Sequence, residues 1–206
     1  LAAVAAPAAD AGAEGFRAFR VERRFDAGGQ LLEEAEAPLP AGAPDGRAFT
    51  AAPPDSLEAR GYIVGPLDGA ARFHAPDERA LLSDGFARTH CFAPARGAGA
   101  ESGWVGVRFR PVPGRAPADI DGVVWLDAAT GEPRRVDYRY VWARLPREAR
   151  GLGGWTEFAR LADGTFVVRA WRIRFPLLLA GRGQLFLDGY RERGGEIRPA
   201  AGAGTR

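Results

Sequence analysis

GVVWLDAATGEPRRVDYRYVW (residues 122–142) and GGWTEFARLADGTFVVRAWRIRF (residues 153–175) decide the fold. In each, a run rich in Val, Trp, Tyr and Phe is broken by a short Gly-containing turn and resumes, which is the pattern of an antiparallel hairpin. If Ala128 pairs with Glu132, the first loop is Ala129, Thr130 and Gly131, with Gly131 in the left-handed region where glycine costs least. That register sets Ile120, Val124 and Leu126 against Val136, Tyr138 and Tyr140, a mostly apolar face. A slip of one residue would set them against Arg135, Asp137 and Arg139, so the hydrophobic pattern supports the pairing. In the second hairpin, Asp163 and Gly164 form a two-residue loop. It places Phe158 opposite Arg169 and Trp155 opposite Arg172, pairs in which a guanidinium covers an aromatic ring.

Outward from this centre, FRAFRVERRF (16–25), a turn at Asp26–Gly29 and QLLEEAEA (30–37) read as another hairpin. Pro54 opens a short helix, PDSLEAR, closed by Gly61. YIV and ARFHA are short strand candidates. APDERALLSDGFARTHCF (75–92) is the best helical stretch, with Leu81, Leu82 and Phe86 available for the core and Gly85 as a point of division. WVGVRFRP and the segment from Gln184 to Arg193 supply further strands. Strands dominate the second half and helices are confined to residues 54–90, so the expected fold class is α+β, mainly β: a curved, half-barrel-like antiparallel sheet of hairpins packed against short helices. The expected organisation is a linker or processed segment over 1–15, one domain over 16–195 and a disordered tail over 196–206.

The chain has 206 residues and 46% hydrophobic content, enough for a buried core. All 28 basic residues are Arg, against 26 acids; Lys, Asn and Met are absent. A GC-rich coding bias accounts for this, and a net charge of +2 offers no phosphate-attracting field, so no nucleic-acid partner is expected although Arg and aromatics interleave in WVGVRFR and WRIRF. LAAVAAPAADAGAEG at the start reads as a signal remnant, a frayed helix end or a linker, with Leu1 a processed or cut end. No apolar run is long enough for a membrane-spanning helix.

Reactive constellations are scarce. His90 and Cys91 are adjacent at a helix end and project in different directions. The expectation is a capping histidine beside a buried, unreactive thiol rather than a nucleophile and its base. His74, Asp77 and His90 would hold a metal only if the fold gathered them, and no metal or other cofactor is expected. Ser56, Ser83 and Ser102 lie in no catalytic motif. Asp119 and Asp121 alternate along a strand and read as its solvated end rather than as paired glycosidase acids.

Trp125, Asp127, Thr130, Gly131 and Arg135 in VVWLDAATGEPRR resemble the W-x-D-x-x-T-G hairpins of LolA-like and RseB-like envelope proteins. From Phe16 to Arg193 the succession LLSDGFARTHCF, VGVRFRPVPGRAPADIDGVVWLDAATGEPRRVDYRY, EFARLADGTFVVRAWRIRFP and GYRERGGE is similar to the C-terminal region of bacterial carboxypeptidase regulatory-like envelope proteins. The second resemblance implies a periplasmic or secreted protein, without implying peptidase activity; the transthyretin-like sandwich that names those proteins is not recognisable here. The first implies a sheet wrapped around helices with an apolar cavity for an acyl chain, lined by Val124, Leu126, Val136, Tyr138 and Tyr140.

The expected function is therefore a non-catalytic binding or scaffold domain whose partner is a lipid or another envelope protein. The rivals are a carrier of an apolar ligand and a hydrolase whose acids or His90 meet only in the fold. The helix-facing side of the sheet discriminates: filled by helix side chains it is a scaffold, hollow and apolar a carrier, polar with converging Asp and His an enzyme.

Overall fold

A computed structural model describes residues 16–38, 51–67, 71–95, 103–149, 151–160, 164, 166–181 and 184–199. In chain order the elements are β1 (Phe16–Asp26), β2 (Leu31–Pro38), α1 (Pro54–Arg60), β3 (Ile63–Val64), β4 (Arg72–Phe73), α2 (Glu78–Leu81), α3 (Asp84–Thr89), β5 (His90–Pro94) and β6 (Trp104–Pro111). They continue with β7 (Asp119–Asp127), β8 (Pro133–Val141), β9 (Gly153–Arg160), β10 (Phe166–Gly181) and β11 (Gln184–Pro199). Nine strands form one open antiparallel sheet in the order β2-β1-β11-β10-β9-β8-β7-β6-β5, and β3 pairs with β4. From β5 to β11 every neighbour in space is a neighbour in sequence, as expected for a meander of hairpins. β1 breaks the rule by closing against β11, with Phe16 opposite Pro199. β11 thus runs past residue 195, where the domain was expected to end. The segments 1–15 and 200–206 lie outside the described residues.

The first central hairpin keeps the expected register from Ile120 opposite Tyr140 to Trp125 opposite Arg135. Nearer the turn the expectation is corrected. Leu126 lies opposite Pro133, leaving Arg134 as a bulge. The loop is four residues, Ala128–Gly131, closed by Asp127 and Glu132: Asp127 N–H donates to the Glu132 carbonyl at 2.8 Å, and Gly131 N–H to the Asp127 carbonyl at 2.8 Å. The reason is local. The Asp127 carboxylate accepts from the N–H groups of Ala129 and Thr130, both at 3.0 Å, so the turn begins at Asp127 rather than one residue later. Arg134 and these amides hold the Asp127 carboxyl down at about 2.

Gly131 has φ 72°, and a Cβ there would meet nothing within 4 Å. Backbone strain is then the whole cost of a side chain at this position. Gly131→Val is expected to lose about 1 kcal/mol or more, read as a lower urea midpoint; an unchanged midpoint would contradict the turn.

In the second hairpin Arg172 lies opposite Trp155 as expected, but Val168, not Arg169, lies opposite Phe158. Arg169 is bulged out and its guanidinium pairs with the Glu157 carboxylate. Asp163 lies outside the described residues, while Gly164 has φ 90°. Trp155 is covered by two guanidiniums, Arg135 at 4.7 Å and Arg172 at 5.5 Å from its ring centre.

Helices α1 to α3 pack on one side of the sheet. Leu57, Tyr62, Ile63 and Phe86 meet Phe109, Ile120, Val136, Tyr138, Tyr140, Phe158 and Ile173 in a single cluster. Each fully buried aliphatic side chain here is worth about 1.5–3 kcal/mol. Phe73 extends the layer, stacking on Phe175 with ring centres 5.2 Å apart and meeting Tyr140 edge-on at 5.4 Å. The helical stretch is divided at Ser83 rather than at Gly85: the Ser83 hydroxyl donates to the Ala80 carbonyl at 2.8 Å and accepts from Phe86 N–H at 3.1 Å, ending one helix and capping the next. The division turns Leu82 outward, 69% exposed instead of in the core.

Candidate functional site

The polar groups that converge in this fold do so at the C-terminal end of α3. The His90 ring lies flat on Phe86, with centres 3.8 Å apart, and meets Phe109 edge-on at 5.7 Å. Its Nδ1 is 3.1 Å from the Phe86 carbonyl and 3.2 Å from Thr89 Oγ1. Its Nε2 is 3.2 Å from the Ile120 carbonyl and 3.3 Å from Asp119 Oδ1. Asp119 Oδ1 also accepts from its neighbour's N–H, that of Ile120, at 2.8 Å, and Oδ2 accepts from Arg115 Nε. Arg115 in turn donates through Nη2 to the Glu58 carbonyl at 2.7 Å, satisfying the last turn of α1. One buried carboxylate thus ties the connection before β7 to both α1 and α3.

This corrects the expectation that Asp119 is a solvated strand end: it is 1% exposed, while Asp121, two residues on, forms an ion pair with Arg139. Burying a carboxylate costs several kcal/mol unless it is paired and hydrogen-bonded, and Asp119 is both. Arg115 is the partner that sequence reasoning missed. Its signal was the four-residue spacing to Asp119 across a segment that Pro117 keeps from being helical.

Thr89, His90 and Asp119 follow the order of a nucleophile, a base and an orienting acid. Here the Thr89 hydroxyl donates to the Gly85 carbonyl at 2.7 Å, inside α3. The space beside the cluster, lined by Leu57, Tyr62, Phe86, His90 and Arg115, amounts to about 10 Å³, room for one water. Burial first, then the Asp119 carboxylate, pushes the Tyr62 phenol up. The cluster functions as a clamp between the helices and the sheet. His74, Asp77 and His90 are not gathered: among the described residues no three His, Cys, Asp or Glu side chains come together as a metal site would require. His74 is half buried, and desolvation lowers its pKa.

The expected apolar face is on the helix side of the sheet. Val136, Tyr138 and Tyr140 are buried there; Val124 packs against the same cluster, and Leu126 is half-buried beyond it. The Tyr140 hydroxyl donates to the His74 carbonyl at 2.9 Å, whereas the Tyr138 hydroxyl is buried without a hydrogen-bond partner among the described residues. Phe86 and Leu81 cover this side as expected, and Leu82 does not.

Cys91 departs from expectation altogether. It is exposed, because the chain leaves the helix at His90 and enters the edge strand β5, opposite Arg110. The Phe86 carbonyl that would continue α3 faces His90 Nδ1 instead, which ends the helix and turns the next side chain outward. Cys91 in native protein is expected to react with a maleimide at a rate within about tenfold of that in urea, and Cys91→Ser to leave the melting temperature unchanged. Slow labelling that accelerates only on unfolding would restore the buried thiol.

No family model matches the chain, and neither a curated protein nor a solved structure matches it. The family resemblance therefore rests on the quoted residues alone.

Proposed function

We propose that this chain is a non-catalytic binding or scaffold domain of a bacterial envelope protein, periplasmic or secreted. The observation that carries the reading is the filled side of the sheet: α1, α3 and the paired β3 and β4 occupy the space that an acyl chain or a substrate would need, and the space beside the converging acid, imidazole and guanidinium of Asp119, His90 and Arg115 holds about one water. The envelope location is supported by the resemblance from Phe16 to Arg193. Among the described residues no helix is long and apolar enough to cross a membrane.

Native mass spectrometry of protein purified from a bacterial periplasm tests the reading. The expected mass is that of the polypeptide. A stoichiometric lipid retained through gel filtration would replace the scaffold by a carrier, and failure of the full-length protein to reach the periplasm would remove the envelope assignment.

A further inference from the structure

The sheet is open, and its two free edges differ. β2 carries Glu33, Glu34 and Glu36 along an exposed strand, the usual guard against a strand adding from outside. β5 carries no Asp, Glu or Arg, and Cys91 to Pro94 are all exposed. The bonds at its two ends show which backbone groups are free. Ala95 N–H donates to the Gly106 carbonyl and Val112 N–H to the Thr89 carbonyl, both at 2.9 Å. Ladder bonds alternate, so Cys91 and Ala93 bond to β6, while Phe92 turns its N–H and C=O to the open side. Among the described residues nothing pairs there. Pro94 has no N–H to offer, so the open ladder centres on Phe92.

Charge gathers one strand further in. On the face away from the helices, Arg108 lies opposite Ala93 and Arg110 opposite Cys91, so two small side chains separate two exposed guanidiniums from the edge. Neither Arg has an ion pair among the described residues. On β7, Arg108 faces Val123, and the same register carries Asp121 beside Arg110. Asp121 stands on the side away from the edge, and both its oxygens are taken by Arg139, at 2.5 and 2.8 Å. The groove over Cys91, Ala93, Arg108 and Arg110, bounded by Phe92 and Pro94, has a volume of about 410 Å³. On the helix side of the same edge Phe92 is 49% exposed, its ring centre 6.1 Å from that of Phe86.

We propose that β5 takes an extended acidic segment of a partner protein as an added antiparallel strand, with the pattern acid, apolar, acid. The apolar residue lies opposite Phe92, exchanges both ladder bonds with it and packs on its ring. The flanking acids lie opposite Cys91 and Ala93 and reach Arg110 and Arg108. The added strand stands about 10 Å from β6, two strand spacings, a gap that a Glu and an Arg side chain span over a Cys or an Ala. A basic strand would be repelled there, so charge complementarity selects the acids. This partner deepens the binding reading above and rests on it; a peptide that fails to bind strikes the strand site, while the mass spectrum and the periplasmic location are read without it.

Fluorescence anisotropy of a labelled, blocked peptide of alternating Glu and Val, titrated with the intact chain, tests this. The peptide should bind, weaken with salt and slow maleimide labelling of Cys91, and a Lys and Val peptide should not bind. Arg108→Gln with Arg110→Gln should weaken binding by about fivefold per residue. N-methylation at Val removes the N–H groups that the ladder needs and should abolish binding; N-methylation at Glu, whose N–H groups face away, should leave it intact. Matching circular dichroism would show the glutamine variant folded; if it does not fold, the two methylated peptides decide. No binding of the Glu and Val peptide, equal losses from the two methylations, a folded glutamine variant that binds like wild type, or unslowed Cys91 labelling would each overturn the proposal. So would self-association of the chain without peptide that the glutamine substitutions disperse, which would seat the acidic β2 of a second copy at the edge.

Discussion

Asp119→Ala is expected to lower the free energy of unfolding by about 3–5 kcal/mol, the range found when one member of a buried charge pair is removed and its partner stays behind. The loss is not that of one ion pair. Arg115 retains only the Leu57 and Glu58 carbonyls, His90 Nε2 retains only the Ile120 carbonyl, and Ile120 N–H loses an acceptor. Each stranded group carries its own desolvation cost. Asp119→Asn should cost less, because the amide oxygen still accepts from Ile120 N–H. Urea unfolding with both variants reads the difference. A loss below 1 kcal/mol for the alanine variant would mean that the clamp between helices and sheet is not what holds them.

Phe109→Ala should cost a similar amount, about 3–5 kcal/mol, for a different reason. Phe109 is completely buried on β6 and lies directly opposite Gly122 on β7. A Cβ on Gly122 would stand 2.9 Å from the Phe109 ring, so the ring fills the space that the glycine leaves. It also meets Phe86 edge-on at 5.2 Å and His90 at 5.7 Å. Truncation opens a hole under α3 that no neighbour is free to fill, since backbone lies on one side and the stacked Phe86 and His90 rings on the other. Phe92→Ala, on the exposed edge strand, is the control and should stay within about 0.5 kcal/mol. Equal losses at the two positions would contradict the distinction between core and edge.

What the sequence made legible was local. The turn glycines, the β-rich runs and the Pro54-to-Gly61 helix each carry their signal within a few residues, and the strand pairs from β5 to β11 follow because hairpins join neighbours. The apolar face from Val136 to Tyr140 was legible for the same reason, since alternation within one strand reveals it. Three things were not. The closure of β1 on β11 depends on contacts across almost the whole chain. The placement of Cys91 depends on where α3 stops, which is decided by the bonds of Thr89 and His90 back to the helix rather than by propensity. The burial of Asp119 depends on Arg115 and on two helix ends that come from distant parts of the sequence. An isolated acid reads as a surface residue until its partners are known.

The pairing of β1 with β11 also determines how the domain meets force. Phe16 and Pro199 oppose each other at one end of that antiparallel ladder, so tension applied through them pulls across the strands instead of along them. The ladder bonds are then loaded one at a time, and the pair peels apart like a zip from its outer end at low force. A second hold lies beyond it, because the clamped unit of helices and β5 to β10 lies off the line of pull until β11 has been stripped away. Under strain in a stretched assembly, this chain would pay out length in two stages, a soft one and then a stiff one.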